Sequence, residues 1–134
     1  MRYKLLEHTA DAMVEAYGKD LGERFGNAAY AMFDLMTDLK KVEPKGELKI
    51  ALSGESRDQL LVDFLEQLLF LHETEELIFS KFEVKTDGKK LEARVWGEKF
   101  DERKHSKRTV VKAITYHRME FNDEKGTVTL LFDV

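Results

Sequence analysis

The chain predicts an α+β two-layer sandwich, with two amphipathic helices packed on one face of a mostly antiparallel sheet. Three observations carry this expectation. Residues 60–69 repeat apolar side chains at three-and-four spacing over a full helical stripe. Residues 76–98 hold two alternating segments joined through Asp87-Gly88, a strong hairpin signal. The element order reads β-β-α-β-α-β-β-β-β, which places the helices early and gathers the strands late.

Residues 2–7 (RYKLLE) and 12–18 (AMVEAYG) read as two short strands around a polar stretch, EHTAD, at 7–11. The period then changes to helical, with Leu21, Phe25, Ala28, Ala29, Met32, Phe33 and Met36 on one stripe. Asp20 and Glu23 form a reciprocal N-cap pattern at its start. Gly22 and Gly26 each weaken the first turns by about 1 kcal/mol against Ala, and such small residues let a helix approach a sheet closely. A polar connection with the single proline, Pro44, leads to GELKIALSG, which alternates Leu48, Ile50 and Leu52 like a half-buried strand.

The second helix opens on a capping pattern of Ser56 and Gln59 and buries Leu60, Leu61, Phe64, Leu65, Leu68 and Leu69. Strands over 76–84 and 90–98 follow. A second hairpin pairs 109–121 with 126–134 across NDEKG, and a charged loop, KFDERKHSKR, lies between the two hairpins. There is no internal repeat or interdomain linker, so residues 1–134 read as a single domain.

Composition narrows the function classes. The absence of cysteine excludes disulfides, thiolate metal sites and cysteine nucleophiles. Charged residues make up 36% while Asn and Gln number four, a thermophile-like balance of many ions and few labile amides. A net charge of −4 argues against nucleic-acid binding by bulk electrostatics. No segment reads as a signal peptide or membrane span, so the expected location is cytoplasmic with no membrane partner. Phosphate-binding loops, dinucleotide fingerprints, nucleophile elbows and zinc-protease motifs are all missing from the sequence.

Two acidic stretches remain. EHTAD crowds Glu7, His8, Thr9 and Asp11 into one connection, either an Asx- or Thr-stabilised turn or part of a site. GTVTLLFDV puts Val128, Leu130, Phe132 and Val134 on one side and Asp133 on the other, beside the α-carboxylate of Val134. This end is either a frayed terminus or, if Asp11 joins it, three anionic oxygens suited to Ca²⁺ or Mg²⁺. The histidines His8, His72, His105 and His117 lack zinc-ligand spacing. His72 reads as a surface or cap residue near a helix end, and His117 as a core or edge residue. Lys112 interrupts VVKAIT and either snorkels at an edge or projects a cation into a groove. The basic cluster ERKHSKR is either a solvated connection or a contact to phosphate or an acidic partner, and it lacks the interleaved aromatics of a base-stacking platform.

Taken together, EHTAD, DLGERFGNAAYAMFDLM, DQLLVDFLEQLLF, VWGE, VVKAITYH and the terminal LLFDV resemble the archease family, in order and over essentially the full length. The resemblance implies an activator without catalytic chemistry of its own. Its partner would be the RtcB-type, GTP-dependent RNA ligase that joins tRNA halves. Archeases promote guanylylation of that ligase's active-site histidine, restore multiple turnover and broaden nucleotide use. The resemblance also implies a calcium site at Asp11, Asp133 and Val134, with magnesium as the alternative. His8, Glu7 and Lys112 are secondary candidates for ligase activation, and direct RNA binding is left open. Where the family motif continues with an aliphatic residue and glycine, this chain has Ala12 and Met13. Two other readings stand beside this one: a chaperone or modulator of an RNA-modifying enzyme such as a tRNA methyltransferase, and a metal-dependent phosphohydrolase.

Overall fold

Seven strands and two helices alternate much as the hydropathy pattern requires, and they are seen in a computed structural model that describes residues 1–6 and 11–134. The strands are β1 (Tyr3–Leu6), β2 (Ala12–Tyr17), β3 (Gly46–Ser53), β4 (Leu77–Thr86), β5 (Lys90–Lys99), β6 (Ala113–Asn122) and β7 (Thr127–Asp133). The helices are α1 (Leu21–Met36) and α2 (Arg57–Glu75), and a short 3₁₀ turn, Leu39–Lys41, follows α1.

The α+β class and the antiparallel pairing are as the sequence predicts. The strands fall into two sheets, ordered β1-β2-β7-β6 and β3-β5-β4, rather than into one. Alternation along a strand reports that one face is buried. It does not report which strand supplies the neighbouring ladder, so sheet membership is settled by packing. The helices join the sheets: α1 packs mainly on β4 and β2, and α2 mainly on β6. Phe25, Phe33, Phe64, Leu61, Leu65, Leu130 and Phe132 are fully buried between them.

Local signals act as written in the sequence. The Asp20 carboxylate accepts the Glu23 N–H at 2.8 Å, and Glu23 accepts the Lys19 N–H at 3.2 Å. Ser56 caps α2 by accepting the Gln59 N–H at 3.2 Å. Asp87 accepts the N–H groups of Lys89 and Lys90, both at 2.8 Å, and Gly88 at φ +96° makes the left-handed turn between β4 and β5. Gly22 meets the backbone of β4, where any Cβ would collide with the Val84 carbonyl. Glycine therefore allows α1 to lie against the otherwise open edge of β4.

Candidate functional site

The acidic tip is assembled by sheet register. In the β2–β7 ladder Ala12 lies opposite Phe132, and in the β6–β7 ladder Ala113 lies opposite Asp133. Asp11 immediately precedes Ala12 and Asp133 immediately follows Phe132, so both acids flank the last pair of the β2–β7 ladder. Residues distant in sequence thus meet because β7 runs between β2 and β6.

Burial orients the end of β7. Phe132 is fully buried, Asp133 is exposed, and Val134 packs partly against the core. These last three residues alternate as expected, whereas Thr127 and Leu131, expected on the outward side with Asp133, are buried. Lys112 lies just before β6 and is exposed, and its backbone N–H donates to the Asp133 carbonyl at 2.7 Å. The sequence reading began this strand at residue 109 and put Lys112 on a face with Val110, Ile114 and Tyr116. In the structure β6 starts at Ala113, Ile114 is buried, and Val110 and Tyr116 are exposed. The two-residue period fails because residues 109–112 are not in a ladder. Glu7 and His8 lie outside the described residues.

Asp11 and Asp133 both offer carboxylate oxygens. This chemistry suits a hard cation such as calcium or magnesium. Among the described residues no cluster of three His, Cys, Asp or Glu side chains suits a metal. The departure from the family pattern is accommodated at Met13, which is buried opposite Leu131 in the β2–β7 ladder.

The charged loop before Lys112 is built, not merely solvated. His105 is buried; its Nδ1 accepts the Asp101 N–H at 2.9 Å, so Nε2 carries the hydrogen and donates to Glu98 Oε2 at 2.9 Å. Glu98 also accepts from Lys104 Nζ at 2.9 Å and from the Glu43 N–H at 2.9 Å. Burial pushes the Glu98 carboxyl up, but Lys104, the Glu43 N–H and His105 together hold it down at about 2. Further along, Arg108 and Thr109 donate backbone N–H groups to Met36 and Leu35 at the end of α1, both at 2.9 Å. The loop is a strap that delivers Lys112 to Asp133. Sequence reasoning did not single out Glu98 or His105, since nothing in GEKFDERKH distinguishes a buried histidine from a solvated one.

The remaining histidines are peripheral to the tip. His72 is half-buried at the end of α2, with Nδ1 at 3.0 Å from the Leu77 carbonyl, in keeping with a cap residue. His117 is exposed rather than part of the core. A cleft of about 1030 Å³ between α1 and the β3-β5-β4 sheet is not lined by any tip residue. Its cations, Arg2, Lys49, Lys81, Lys85 and Arg94, are faced by Asp20, Glu23, Glu83 and Glu92, so it shows no single preference of charge.

Two helices bridging a pair of antiparallel sheets, with an acidic tip where β2, β7 and the lead-in to β6 meet, define a class of small α+β protein. The chain belongs to the archease family: the model of the Archease protein family (MTH1598/TM1083) matches residues 3–134. The protein named Protein archease from Sulfurisphaera tokodaii is 45% identical over 135 residues, spanning 99% of this chain and 97% of that protein. The one from Methanothermobacter thermautotrophicus is 45% identical over 130 residues, spanning 94% and 92%. The solution structure of Methanobacterium thermoautotrophicum protein 1598 superposes with a TM-score of 0.81 at 40% identity, covering 99% of each chain.

Proposed function

We propose that this protein activates the RtcB-type, GTP-dependent RNA ligase of tRNA splicing, promoting guanylylation of the ligase's histidine without catalysing a reaction itself. Family membership supports the reading, and one observation carries it: Asp11 and Asp133 flank the last pair of the β2–β7 ladder, and the Lys112 backbone N–H donates to the Asp133 carbonyl. Guanylylation must bring a histidine and an anionic triphosphate into line, so charge at the ligase pocket has to be offset and held in place.

Asp11 and Asp133, with the carboxyl of Val134, would hold a calcium ion, or magnesium in its place. A hard cation supplies positive charge that offsets triphosphate oxygens. Lys112 would add a second cation near this end of β7, where its backbone N–H is bonded to the Asp133 carbonyl. The strap anchored by Glu98 and His105 limits where that lysine can go. Glu7 and His8 complete the candidate set from the stretch preceding Asp11. The ligase, acting in the cytoplasm, would be the direct partner, and tRNA halves would be met through it.

The test is RNA ligation by the cognate ligase with RNA in large excess, comparing no addition, this protein and its Asp11→Ala and Asp133→Ala forms. Multiple turnover with wild type and none with either variant is expected. Full activation by both variants would remove the tip from the mechanism. If the wild type has no effect, the activator reading fails and a chaperone role toward an RNA-modifying enzyme such as a tRNA methyltransferase takes its place.

A further inference from the structure

Helix α2 is amphipathic in the ordinary sense on one side only. Its buried stripe is Leu60, Leu61, Phe64, Leu65, Leu68 and Leu69. The opposite side carries Asp63, Glu66, Phe70 and Glu73, spaced three, four and three residues apart and so aligned along one ridge. Phe70 is 59% exposed at the middle of that ridge. A phenylalanine left in water between acids adds nothing to the core it points away from, and a lone one would call for no explanation. This one has company: Tyr116 of β6 is 51% exposed and stands beside the same helix. The strand that carries it is the one α2 packs against most, and partial burial and then the charges of Asp63, Glu66 and Asp58 push its hydroxyl up.

The ridge is strongly one-signed. Arg57 is the single Lys or Arg in α2, and it is committed to Asp123 at 2.9 Å and stacked on Phe121 at 4.4 Å. Among the described residues Asp58, Asp63, Glu66, Glu73 and Glu75 face no cation within ion-pair distance, whereas Glu43, Glu47, Glu83 and Glu98 on the other sheet all do. The β6–β7 ladder is also interrupted between Thr115 and Glu120, where Arg118 takes a left-handed φ of 65°. Such a distortion re-aims side chains at a sheet edge and is kept at a cost in backbone energy.

We propose that this ridge of α2, together with Tyr116, is the docking surface through which the protein engages a basic protein face that offers apolar sockets to Phe70 and Tyr116. The proposal rests on the activator reading above, in which the ligase is that partner. Charge selects the occupant. RNA and anionic lipid are repelled by the three acids of the ridge, and a second copy would bring the same three acids against the first. A protein that grips RNA and a nucleoside triphosphate must surround that site with cations, and the ridge complements those. Position agrees, because Tyr116 is three residues along β6 from Ala113, which pairs with Asp133. At about 3.3 Å per residue the patch begins roughly 10 Å from the acidic tip. Two exposed aromatics ringed by charge have the composition of interface anchors.

The two surfaces make separable contributions: the tip sets how fast the saturated ligase turns over, and the ridge sets how much protein saturates it. Ligation with RNA in excess is therefore measured against concentration for wild type, Phe70→Ala, Tyr116→Ala and Asp63→Lys/Glu66→Lys. Each variant is expected to raise the half-activating concentration about 10-fold or more, with the plateau unchanged. Asp11→Ala is expected to lower the plateau instead. Raising the salt should raise the half-activating concentration of wild type more than that of an Asp63→Asn/Glu66→Gln form. All four substituted positions lie on the surface, and a thermal melt checks that the variants fold. Variants that match an active wild type in half-activating concentration refute the docking surface and leave the activator reading standing. A wild type that does not activate refutes that reading, and the docking surface falls with it.

Discussion

Glu98→Gln tests whether the strap is held by charge. The substitution keeps the shape of the side chain and removes its negative charge from a position whose side chain is 11% exposed. Three donors converge there: Lys104 Nζ, the Glu43 N–H and His105 Nε2. A glutamine has one oxygen and one NH2 group, so at least one donor is left facing another donor, and the Lys104 ammonium loses its counter-charge. Hydrogen bonds to an ionised partner contribute about 1.5–3 kcal/mol and neutral ones about 0.5–1.5 kcal/mol. The net loss is about 2–3 kcal/mol at pH 7. With about 2.1 cal/mol/K of unfolding entropy per residue, 134 residues translate this into a Tm lower by about 7–11 °C. The pH dependence supplies the sharper result. A carboxyl held at about 2 when folded, against an ordinary 4.5, stabilises the fold above 4.5 and loses that contribution as pH falls towards 2. The gap between wild type and variant should therefore narrow through that window, as read by urea unfolding at a series of pH values. A gap that stays constant with pH, or a Tm loss under about 3 °C at pH 7, would refute the charge-based account.

Three further outcomes follow from packing and pairing. Gly22→Ala should destabilise the fold by about 1–3 kcal/mol in chemical denaturation despite the better helix propensity of alanine, since its Cβ strikes the Val84 carbonyl and α1 must move. Phe33→Ala empties a fully buried site ringed by Phe79 and Phe82 at 5.7 and 6.1 Å between centroids, and should cost about 3–5 kcal/mol by the same measurement. Asp123→Asn removes the counter-charge shared by Arg24, itself buried, and Arg57, each at 2.9 Å, and should lower the denaturation midpoint at pH 7. Hydrogen bonds from Arg24 and then Arg57 hold the Asp123 carboxyl below the usual range, so this difference too should shrink in acid.

Each segment's own residues suffice for what is local. The three-and-four repeat of α2, the Asp20 and Ser56 caps and the Asp87-Gly88 turn are interactions within a few residues, and all are found where the pattern places them. The end of β7 reads the same way, with Phe132 inward and Asp133 outward. Lys112 was legible as an unusual cation in an apolar stretch, but its place just before β6, bonded to Asp133, was not. The loop histidine His105 was read as one of four unremarkable histidines and is the buried anchor of the strap.

What separates the two groups is range. Helix period, cap and turn chemistry act within one element, so a stretch of residues carries them intact. The division of strands between two sheets, the passage of β7 between β2 and β6, and the resulting pairing of Ala12 with Phe132 across the length of the chain depend on which buried faces pack together. So does the ridge of α2: its acids are visible in the sequence, but only the fold sets Tyr116 beside them and leaves Phe70 in water. Burial between elements is a property of the assembled core, and no single segment contains it.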